Sequence, residues 1–539
     1  MLFQGWVPLL LAAVTFLIYW PSLSSDFVYD ARTEIFNEGF ITSLSNLPDV
    51  LSFKVLGMNL MLAGRPGALL YLMLIAAVCG KAPFGYHLCS NLLHAVNVAL
   101  LYVLLLRLAR AEPTGLTKGK EGRIKLAVAA VTLIFAWHPL AVEPVANISY
   151  SSDLLVTFFT LAALLAATAF QPDDFRGSAP TGCVGALAAF CAVACKESGV
   201  AAAGLLIVYW FLFRRREKRE PWLCFLGGAT GVTLAFLAAR FAFAAPNSDH
   251  VDFLGGSFSH VILPQSQLWV FMMGKLFWPV DLSADYAVID LKCLSVPASL
   301  FVLAVVVSLQ VWLALKSRLG ALGVAVYWLG LSTVSNFIPL YRILGDRFYY
   351  LPLAGLVIQL LALLLIILRF REGFWGALAP CFVALLPLGL LTVTREDVFA
   401  NDFNLWSDTI QVNPYSTIGH AKLADELWDR GQRDEAIGQY QMALEISPGV
   451  AEIHNNLGSA LFQTGQVDAA IEQFHRTLEI RPSYVYTYYN LGEALLKKGK
   501  RNEARAEFEE ALRLQPDFAA AQSALAKVEA MPDQAPASK

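Results

Sequence analysis

Long apolar runs occupy most of the first 400 residues, and they constrain the fold more than any other feature of the sequence. A helix needs roughly 20 mainly apolar residues to cross a bilayer. Eleven apolar runs are candidates for such helices: 5–20, 86–106, 125–137, 153–170, 182–195, 199–213, 222–245, 297–315, 319–335, 348–368 and 374–394. Hydrophobic residues make up 57% of the chain and charged residues only 15%, which excludes a soluble enzyme and a disordered or fibrous protein. We therefore predict an all-α chain whose residues 1–395 form a polytopic membrane module.

Basic residues predict how this module is oriented, because Lys and Arg favour cytoplasmic loops. The clusters lie at Arg107–Lys125, Arg214–Arg219, Lys316/Arg318 and Arg369/Arg371. All four face the cytoplasm if the eleven runs cross the bilayer and two further runs that are short and ambiguous, 68–80 and 265–280, lie as interfacial helices at its outer face. The N-terminus is then inside, and everything after Thr394 is outside.

This topology brings several polar segments to the outer face: 22–67, 138–152, 196–198, 245–296 and 336–348. Ionisable residues at a membrane edge are costly and often functional. Solvated loops would have the same composition, but the convergence of five segments on one side favours a functional site there.

The remainder of the chain has a different composition and an internal repeat. Residues 401–539 hold 33 of the 83 charged residues. Proline recurs every 34 residues at 414, 448, 482 and 516, and Gly, Ala, Leu and aromatic positions keep the same period. This is the tetratricopeptide pattern, in which proline ends a helix because it lacks an N–H. We predict a connecting helix or linker over 396–416, repeats over 417–450, 451–484 and 485–518, a capping helix up to 531, and a polar tail over 532–539.

A stack of such repeats forms an α-solenoid whose concave surface binds extended chains. The side chains predicted to line that surface and to bind an acceptor polypeptide are Trp428, Asn455, Phe462, Tyr486 and Tyr489. Several of them would equally suit the packing between helices.

Short motifs in the membrane module follow one another in a specific order. They are Asp26-Phe-Val-Tyr-Asp30 with Ile35 and Asn37, Arg65-Pro66, Phe84-Gly-Tyr-His87 with Asn91 and His94, His138-Pro139, Glu143, Asp153-Leu-Leu, Lys196-Glu197, Leu282-Ser-Ala-Asp285 and Asp346-Arg347-Phe-Tyr-Tyr350-Leu-Pro. With the repeats, this order resembles the transmembrane-and-tetratricopeptide-repeat O-mannosyltransferases and their bacterial relatives, which have the GT-C glycosyltransferase fold. The sequence departs from the family pattern at two places. Asp30 is followed by Ala31 where the family usually has a second acid, and Ser151-Ser152 stands where the family has an arginine before the Asp-Leu-Leu segment. Either departure is compatible with altered donor chemistry or with loss of activity.

The resemblance implies transfer of a monosaccharide, mannose by analogy, from a polyprenyl or dolichyl phosphate to Ser or Thr of a protein, with inversion. A hydroxyl is a poor nucleophile near neutral pH, so a carboxylate must take its proton. Asp30 is the predicted base, with Asp26 and Glu34 behind it. The alternative is that Asp26 caps a helix or turn and Asp30 is a solvated loop charge.

The leaving phosphate requires fixed cations at the membrane surface. Arg347 is the first candidate because it sits in the Asp346-Arg347 motif immediately before a helix, and a guanidinium suits phosphate oxygens. The others are Lys196, Arg65, Arg342 and His138. In the alternative interpretation, Arg347 pairs with Asp346, Lys196 pairs with Glu197, and His138 simply ends a helix.

No cofactor other than a lipid-linked sugar is expected. The residue types for a divalent metal exist in Asp26, Asp30 and Glu34, but their spacing does not require one, and the formal charge of −3 gives no reason to expect nucleic acid. The rival functions are a non-catalytic membrane-anchored scaffold and a GT-C transferase that acts on glycans or lipids. We expect a multi-pass protein of a bacterial inner membrane with the repeats in the periplasm; the endoplasmic reticulum membrane, with the repeats in the lumen, is the alternative.

Overall fold

The computed structural model describes residues 5–32, 35, 39–58, 60, 62–112, 121–243, 258–286, 295–333, 345–370 and 373–531. All the regular secondary structure in these ranges is helical, as predicted. The chain divides into two compact units, residues 1–405 and 406–539. This division lies slightly beyond the predicted boundary at Arg395.

Each of the eleven apolar runs is a helix in the first unit. The helices are Trp6–Ile18, Pro83–Ala111, Glu121–Ala136, Ser151–Ala169, Phe175–Cys195, Val200–Tyr209 (which continues as a π-helix, Trp210–Arg214), Arg219–Phe243, Val296–Lys316, Arg318–Ser332, Tyr350–Phe370 and Phe374–Val398. Two further helices, Pro66–Cys79 and Phe258–Phe277, cover the runs that we predicted to be interfacial.

Eight helices of the described chain are long and apolar enough to cross a membrane. Glu121–Ala136 and Pro139–Ala146 would add a ninth if this pair, bent by 55°, is one span. Trp6–Ile18 and Arg318–Ser332 are apolar but shorter. The chain therefore has the helices of a membrane protein, and the number of eleven crossings remains a prediction.

Basic side chains gather at one end of the helices in the first unit, which we call the basic end. Arg107 donates to Thr168 Oγ1 over 2.9 Å, and Arg214 donates to the Phe170 carbonyl over 2.6 Å. Glu112 accepts from the backbone N–H of Arg318 over 3.1 Å. These contacts join the ends of several antiparallel helices, so three of the predicted basic clusters share one end.

The opposite end, which we call the site end, contains short helical turns between the long helices. They are Trp20–Ser24, Asp30–Arg32, Val142–Ala146, Ile148–Tyr150, Glu197–Gly199 and Asp346–Tyr349. A helix rises 1.5 Å per residue, so Asp153 at the start of Ser151–Ala169 is about 22 Å from Thr168 at the basic end. The described polar motifs therefore converge on the site end.

The second unit consists of helix pairs that repeat with the predicted period. The first helices are Thr417–Asp429, Ala451–Gln463 and Val485–Lys497, the second helices are Arg433–Ile446, Val467–Ile480 and Arg501–Leu514, and the capping helix is Ala519–Ala530. The first helix of each pair ends before Gly431, Gly465 or Gly499, whose φ angles are 81°, 85° and 76°. Glycine adopts this left-handed conformation without steric cost, which explains its recurrence at 34-residue intervals.

Candidate active site

The loop that follows the first helix carries two of the predicted acids, and its backbone bonds to a distant helix and to a distant turn. The N–H of Asp26 donates to the Ala400 carbonyl over 2.9 Å. The carbonyl of Asp26 accepts from Nε2 of His87 over 3.2 Å. The Asp26 side chain itself is exposed. These two contacts position the start of the loop at the site end.

Asp30 lies directly after an unusual backbone conformation. Tyr29 has φ of 55°, in a region that side chains other than glycine rarely adopt. Its N–H donates to Oδ1 of the buried Asp402 over 2.6 Å, which stabilises this turn. Asp30 then begins the short helix Asp30–Arg32 and is half-buried. The third predicted acid, Glu34, lies outside the described residues.

Ala31, where the resembling family has a second acid, faces an apolar cluster. It is fully buried together with Phe27, Ile35 and Ile148. A carboxylate at this position would lose its hydration without gaining a partner in the cluster, which is costly. Alanine at position 31, in place of the second acid, therefore suits the apolar packing of this chain.

Lys196 forms a buried ion pair with Asp153 rather than with its neighbour Glu197. Its Nζ lies 2.7 Å and 2.8 Å from the two Asp153 carboxylate oxygens. Burial lowers the pKa of the Lys196 ammonium, and the Asp153 carboxylate opposes that shift. The predicted alternative, a Lys196–Glu197 pair, is wrong because the two side chains contact different helices.

Arg347 likewise pairs with a residue distant in sequence. Its Nη1 lies 2.8 Å from Glu143 Oε1, and its backbone N–H donates to Glu143 Oε2 over 2.7 Å. Asp346 instead accepts from Tyr286 Oη over 2.6 Å and contacts Arg395 at 3.5 Å. The predicted alternative, in which Arg347 pairs with Asp346, is therefore wrong.

Aromatic rings connect the two buried cations to each other and to the acidic loop. The Phe348 ring centre lies 4.7 Å from Arg347 Cζ and 5.6 Å from Lys196 Nζ. The Tyr150 ring lies 3.9 Å from Arg347 Cζ. The turn Ile148–Tyr150 in turn packs against Asp30–Arg32. A continuous set of contacts thus runs from the acidic loop to both cations.

Arg65 belongs to a second charged cluster, which contains a residue that the sequence did not reveal. Arg65 and Arg240 share the Glu197 carboxylate, at 3.1 Å and 3.0 Å. Arg240 lies inside the apolar run 222–245, which the composition predicts to be a membrane span and which gives this residue no role. A charged residue inside such a run is the signal that could have identified it.

The remaining predicted phosphate-binding residues are His138 and Arg342. His138 is buried, and both of its ring nitrogens have main-chain partners: Nδ1 accepts from the Leu140 N–H over 3.2 Å, and Nε2 contacts the Leu276 carbonyl at 3.0 Å. This supports the alternative interpretation, that the His-Pro pair ends a helix. Arg342 lies outside the described residues.

The five residues predicted to bind an acceptor differ in burial: four pack within the repeats and one is exposed. Trp428, Phe462 and Tyr489 pack partly buried against the repeat core. Asn455 is buried, and its Oδ1 accepts from Thr487 Oγ1 of the next repeat over 2.9 Å. Tyr486 is 58% exposed, with its ring 5.3 Å from that of Phe518. Of the five, Tyr486 therefore has the most accessible side chain.

Among the described residues, no group of three or more His, Cys, Asp or Glu is placed to hold a metal ion. Glu34, one of the acids considered for such a site, is not among them.

Known proteins are similar in sequence to both parts of this chain. Residues 424–465 and 458–499 match the TPR repeat family, and residues 485–518 match the tetratricopeptide repeat family. A protein O-mannosyl-transferase of Caenorhabditis elegans is 25% identical over 82% of this chain and 62% of its own length. The mouse protein O-mannosyl-transferase TMTC4 is 23% identical over 81% of this chain and 66% of its own length.

The chain spans less than two thirds of the length of these two relatives. Among solved structures, the crystal structure of MamA is similar to part of the chain. It has 23% sequence identity and a TM-score of 0.23, and it covers 23% of this chain and 74% of that protein.

Proposed function

The chain is a homologue of protein O-mannosyl-transferases, and we propose that it is a membrane glycosyltransferase of the same kind. It transfers a monosaccharide, mannose by analogy, from a polyprenyl or dolichyl phosphate to Ser or Thr of a polypeptide. The reaction takes place at the site end, on the extracytoplasmic side of the membrane, and the tetratricopeptide repeats bind the acceptor.

One observation carries this proposal. The half-buried Asp30 carboxylate and the Lys196 and Arg347 cations belong to one connected set of contacts at the end of the helices opposite the basic clusters. Basic clusters favour the cytoplasmic side. A base and fixed cations on the other side are what transfer from a lipid phosphate to a hydroxyl requires.

In the proposed mechanism, Asp30 accepts the proton of the acceptor hydroxyl. The hydroxyl oxygen forms a bond to the anomeric carbon while the bond between that carbon and the phosphate oxygen breaks, which inverts the configuration. The lipid phosphate leaves with the electron pair. Cations held in place before the reaction stabilise this developing charge without reorganisation. Asp153 and Glu143 hold Lys196 and Arg347 in position through short, buried contacts.

The proposal also covers how the acceptor is bound and on which side of the membrane the repeats lie. Tetratricopeptide repeats bind extended chains, and Tyr486 beside Phe518 offers an exposed aromatic surface on the third repeat. Orientation by the basic clusters supports repeats outside the cytoplasm. We propose the periplasmic side of a bacterial inner membrane; the lumen of the endoplasmic reticulum has the same physical relationship to the basic end.

Transfer can be measured directly with the purified full-length protein. Radiolabelled mannosyl phosphates of polyprenol and dolichol are supplied with Ser/Thr-rich peptides, and labelled peptide is counted. We expect Asp30→Asn to abolish transfer and Asp173→Asn to leave it unchanged. Asp173 is a suitable control because it is an exposed carboxylate, paired with Lys218 at the basic end.

Equal inactivity of the wild type and Asp30→Asn with every donor would contradict the proposal and favour a non-catalytic scaffold. Transfer to glycans or lipids but never to peptides would favour a GT-C transferase that acts on those acceptors. An unchanged rate in Asp30→Asn, with an active wild type, would remove Asp30 as the base.

A further inference from the structure

The chain carries three exposed arginines where it enters helix Arg219–Phe243 at the basic end: Arg215, Arg216 and Arg219. Within the described part of the chain, the side chains of Arg216 and Arg219 make no hydrogen bond and no ion pair. The Arg215 guanidinium carbon lies 5.1 Å from the ring centre of Phe211, which is itself exposed. These three positive charges are therefore accessible to an external anion.

The acids near these arginines do not cancel the positive charge. Residues 214–220 hold five basic and two acidic residues. Glu217 lies 2.8 Å from Nε of Arg214. Asp173 comes from a neighbouring turn and lies 3.1 Å from Nζ of Lys218. The two printed ion pairs thus involve the other two basic residues, and an excess of positive charge remains on the three exposed arginines.

A second basic pair lies at the same level of the structure. Helix Arg318–Ser332 packs against the π-helix Trp210–Arg214. A Cβ added at Gly204 would lie 3.5 Å from Leu329, so the two antiparallel helices place the start of one level with the end of the other. Lys316 and the first residue of helix Arg318–Ser332 are both exposed there. We call Arg215, Arg216, Arg219, Lys316 and Arg318 the basic patch.

The basic patch lies where the exposed apolar surface of the helices ends. Leu315 is 81% exposed and directly precedes Lys316 at the end of its helix. Trp375 is 68% exposed at the same end, next to Phe374, whose ring lies 5.2 Å from Cζ of Arg123. Exposed tryptophan beside basic side chains, at the end of an apolar surface, is typical of the headgroup level of a bilayer.

From this arrangement we propose that the basic patch binds the headgroups of anionic phospholipids. Their phosphate oxygens match the N–H donors of arginine, and their acyl chains would lie along the exposed apolar surface next to the patch. This apolar surface favours a lipid over an acidic protein segment, which would use only the charges. The proposal is independent of the transferase reaction, because the patch lies at the opposite end of the helices from Asp30, Lys196 and Arg347.

The test is a binding measurement on the full-length protein in a nonionic detergent. Fluorescently labelled phosphatidylglycerol is titrated into the wild type and into the triple variant Arg215→Gln/Arg216→Gln/Arg219→Gln. Phosphatidylcholine with the same acyl chains is the headgroup control. We expect the wild type to prefer phosphatidylglycerol and the triple variant to bind it at least about ten-fold more weakly, because each basic residue at a membrane surface adds to the attraction. At about 1 M salt, where charges are screened beyond about 3 Å, the difference should largely disappear.

A matched control removes the same number of charges elsewhere. The variant Arg476→Gln/Lys500→Gln/Arg513→Gln changes three exposed basic residues of the repeats. It should bind phosphatidylglycerol like the wild type. The conservative variant Arg215→Lys/Arg216→Lys/Arg219→Lys should retain most of the affinity, because it keeps the charges.

Loss of phosphatidylglycerol binding in the triple Gln variant, with the control intact, supports the proposal. Equal loss in both variants overturns it, because net charge alone would then explain binding. Unchanged binding in the triple Gln variant overturns it as well, as does a wild type that binds both lipids equally. Tighter binding of a short polyglutamate peptide than of phosphatidylglycerol overturns it in favour of an acidic protein partner. If the triple Gln variant does not fold, Lys316→Gln/Arg318→Gln decides the same question.

Discussion

Removal of the Asp153 carboxylate would leave the Lys196 ammonium buried without its counterion. The pair is bidentate, at 2.7 Å and 2.8 Å, and both side chains are almost inaccessible. Breaking a buried pair by removing one partner costs about 3–5 kcal/mol, whereas replacing both partners by apolar residues is often neutral. We therefore expect Asp153→Ala to lose about 3–5 kcal/mol of stability and the double variant Asp153→Leu/Lys196→Met to recover most of it.

The instability of Asp153→Ala should depend on pH. Burial lowers the pKa of Lys196, and loss of the carboxylate lowers it further. Between this lowered folded pKa and the unfolded value of about 10.4, the unfolded state binds more protons than the folded state. The stability of the variant therefore rises with pH in that window, and its deficit relative to the wild type should be smaller at pH 9 than at pH 6.

Thermal unfolding of the full-length proteins, followed by tryptophan fluorescence in detergent, checks both expectations, with peptide transfer measured in parallel. A single variant as stable as the wild type, or a double variant no more stable than the single one, would refute the burial argument. Restored stability without restored transfer assigns Lys196 a role in the reaction. Restoration of both makes the pair structural only.

Three further substitutions test separate parts of the structure. Asp402→Ala removes the acceptor that stabilises the turn before Asp30. We therefore expect kcat for peptide transfer to fall about ten-fold with little change in donor KM, and Asp402→Asn to have a smaller effect on kcat. An unchanged kcat would contradict this positioning role. Gly458→Ala places a Cβ 2.7 Å from the Phe474 ring and should destabilise the repeats by about 1–3 kcal/mol in thermal unfolding. The control Gly438→Ala meets no atom within 4 Å and should stabilise them by about 0.5–1 kcal/mol; equal effects of the two would refute the packing argument. Ala31→Asp puts a carboxylate into an apolar cluster and should lower the unfolding midpoint of the full chain, which a midpoint equal to that of the wild type would contradict.

The helices could be predicted because their causes are local. Each of the eleven apolar runs is a helix, and a continuous apolar run can be recognised from a short stretch of sequence alone. The repeat helices begin at 417, 451 and 485, at the predicted starts of the repeats, because the period, the proline and the left-handed glycine are all properties of a short stretch of chain.

The partners of the charged residues could not be predicted in this way. Adjacent residues suggested the pairs Arg347–Asp346 and Lys196–Glu197. The structure instead joins Arg347 to Glu143 and Lys196 to Asp153, across separations of 204 and 43 residues. In a turn or at a helix end, neighbouring side chains point in different directions and reach different helices.

What the sequence by itself determined was therefore the inventory: membrane helices, three tetratricopeptide repeats and a set of acids and cations in ordered motifs. The tertiary structure decided which of these groups meet. It pairs two predicted cations with buried carboxylates, gives both ring nitrogens of His138 main-chain partners, and adds Arg240 from within an apolar run. The physical reason is that helix formation depends on local composition, whereas a charge in an apolar surrounding requires a partner, and long-range packing alone supplies it.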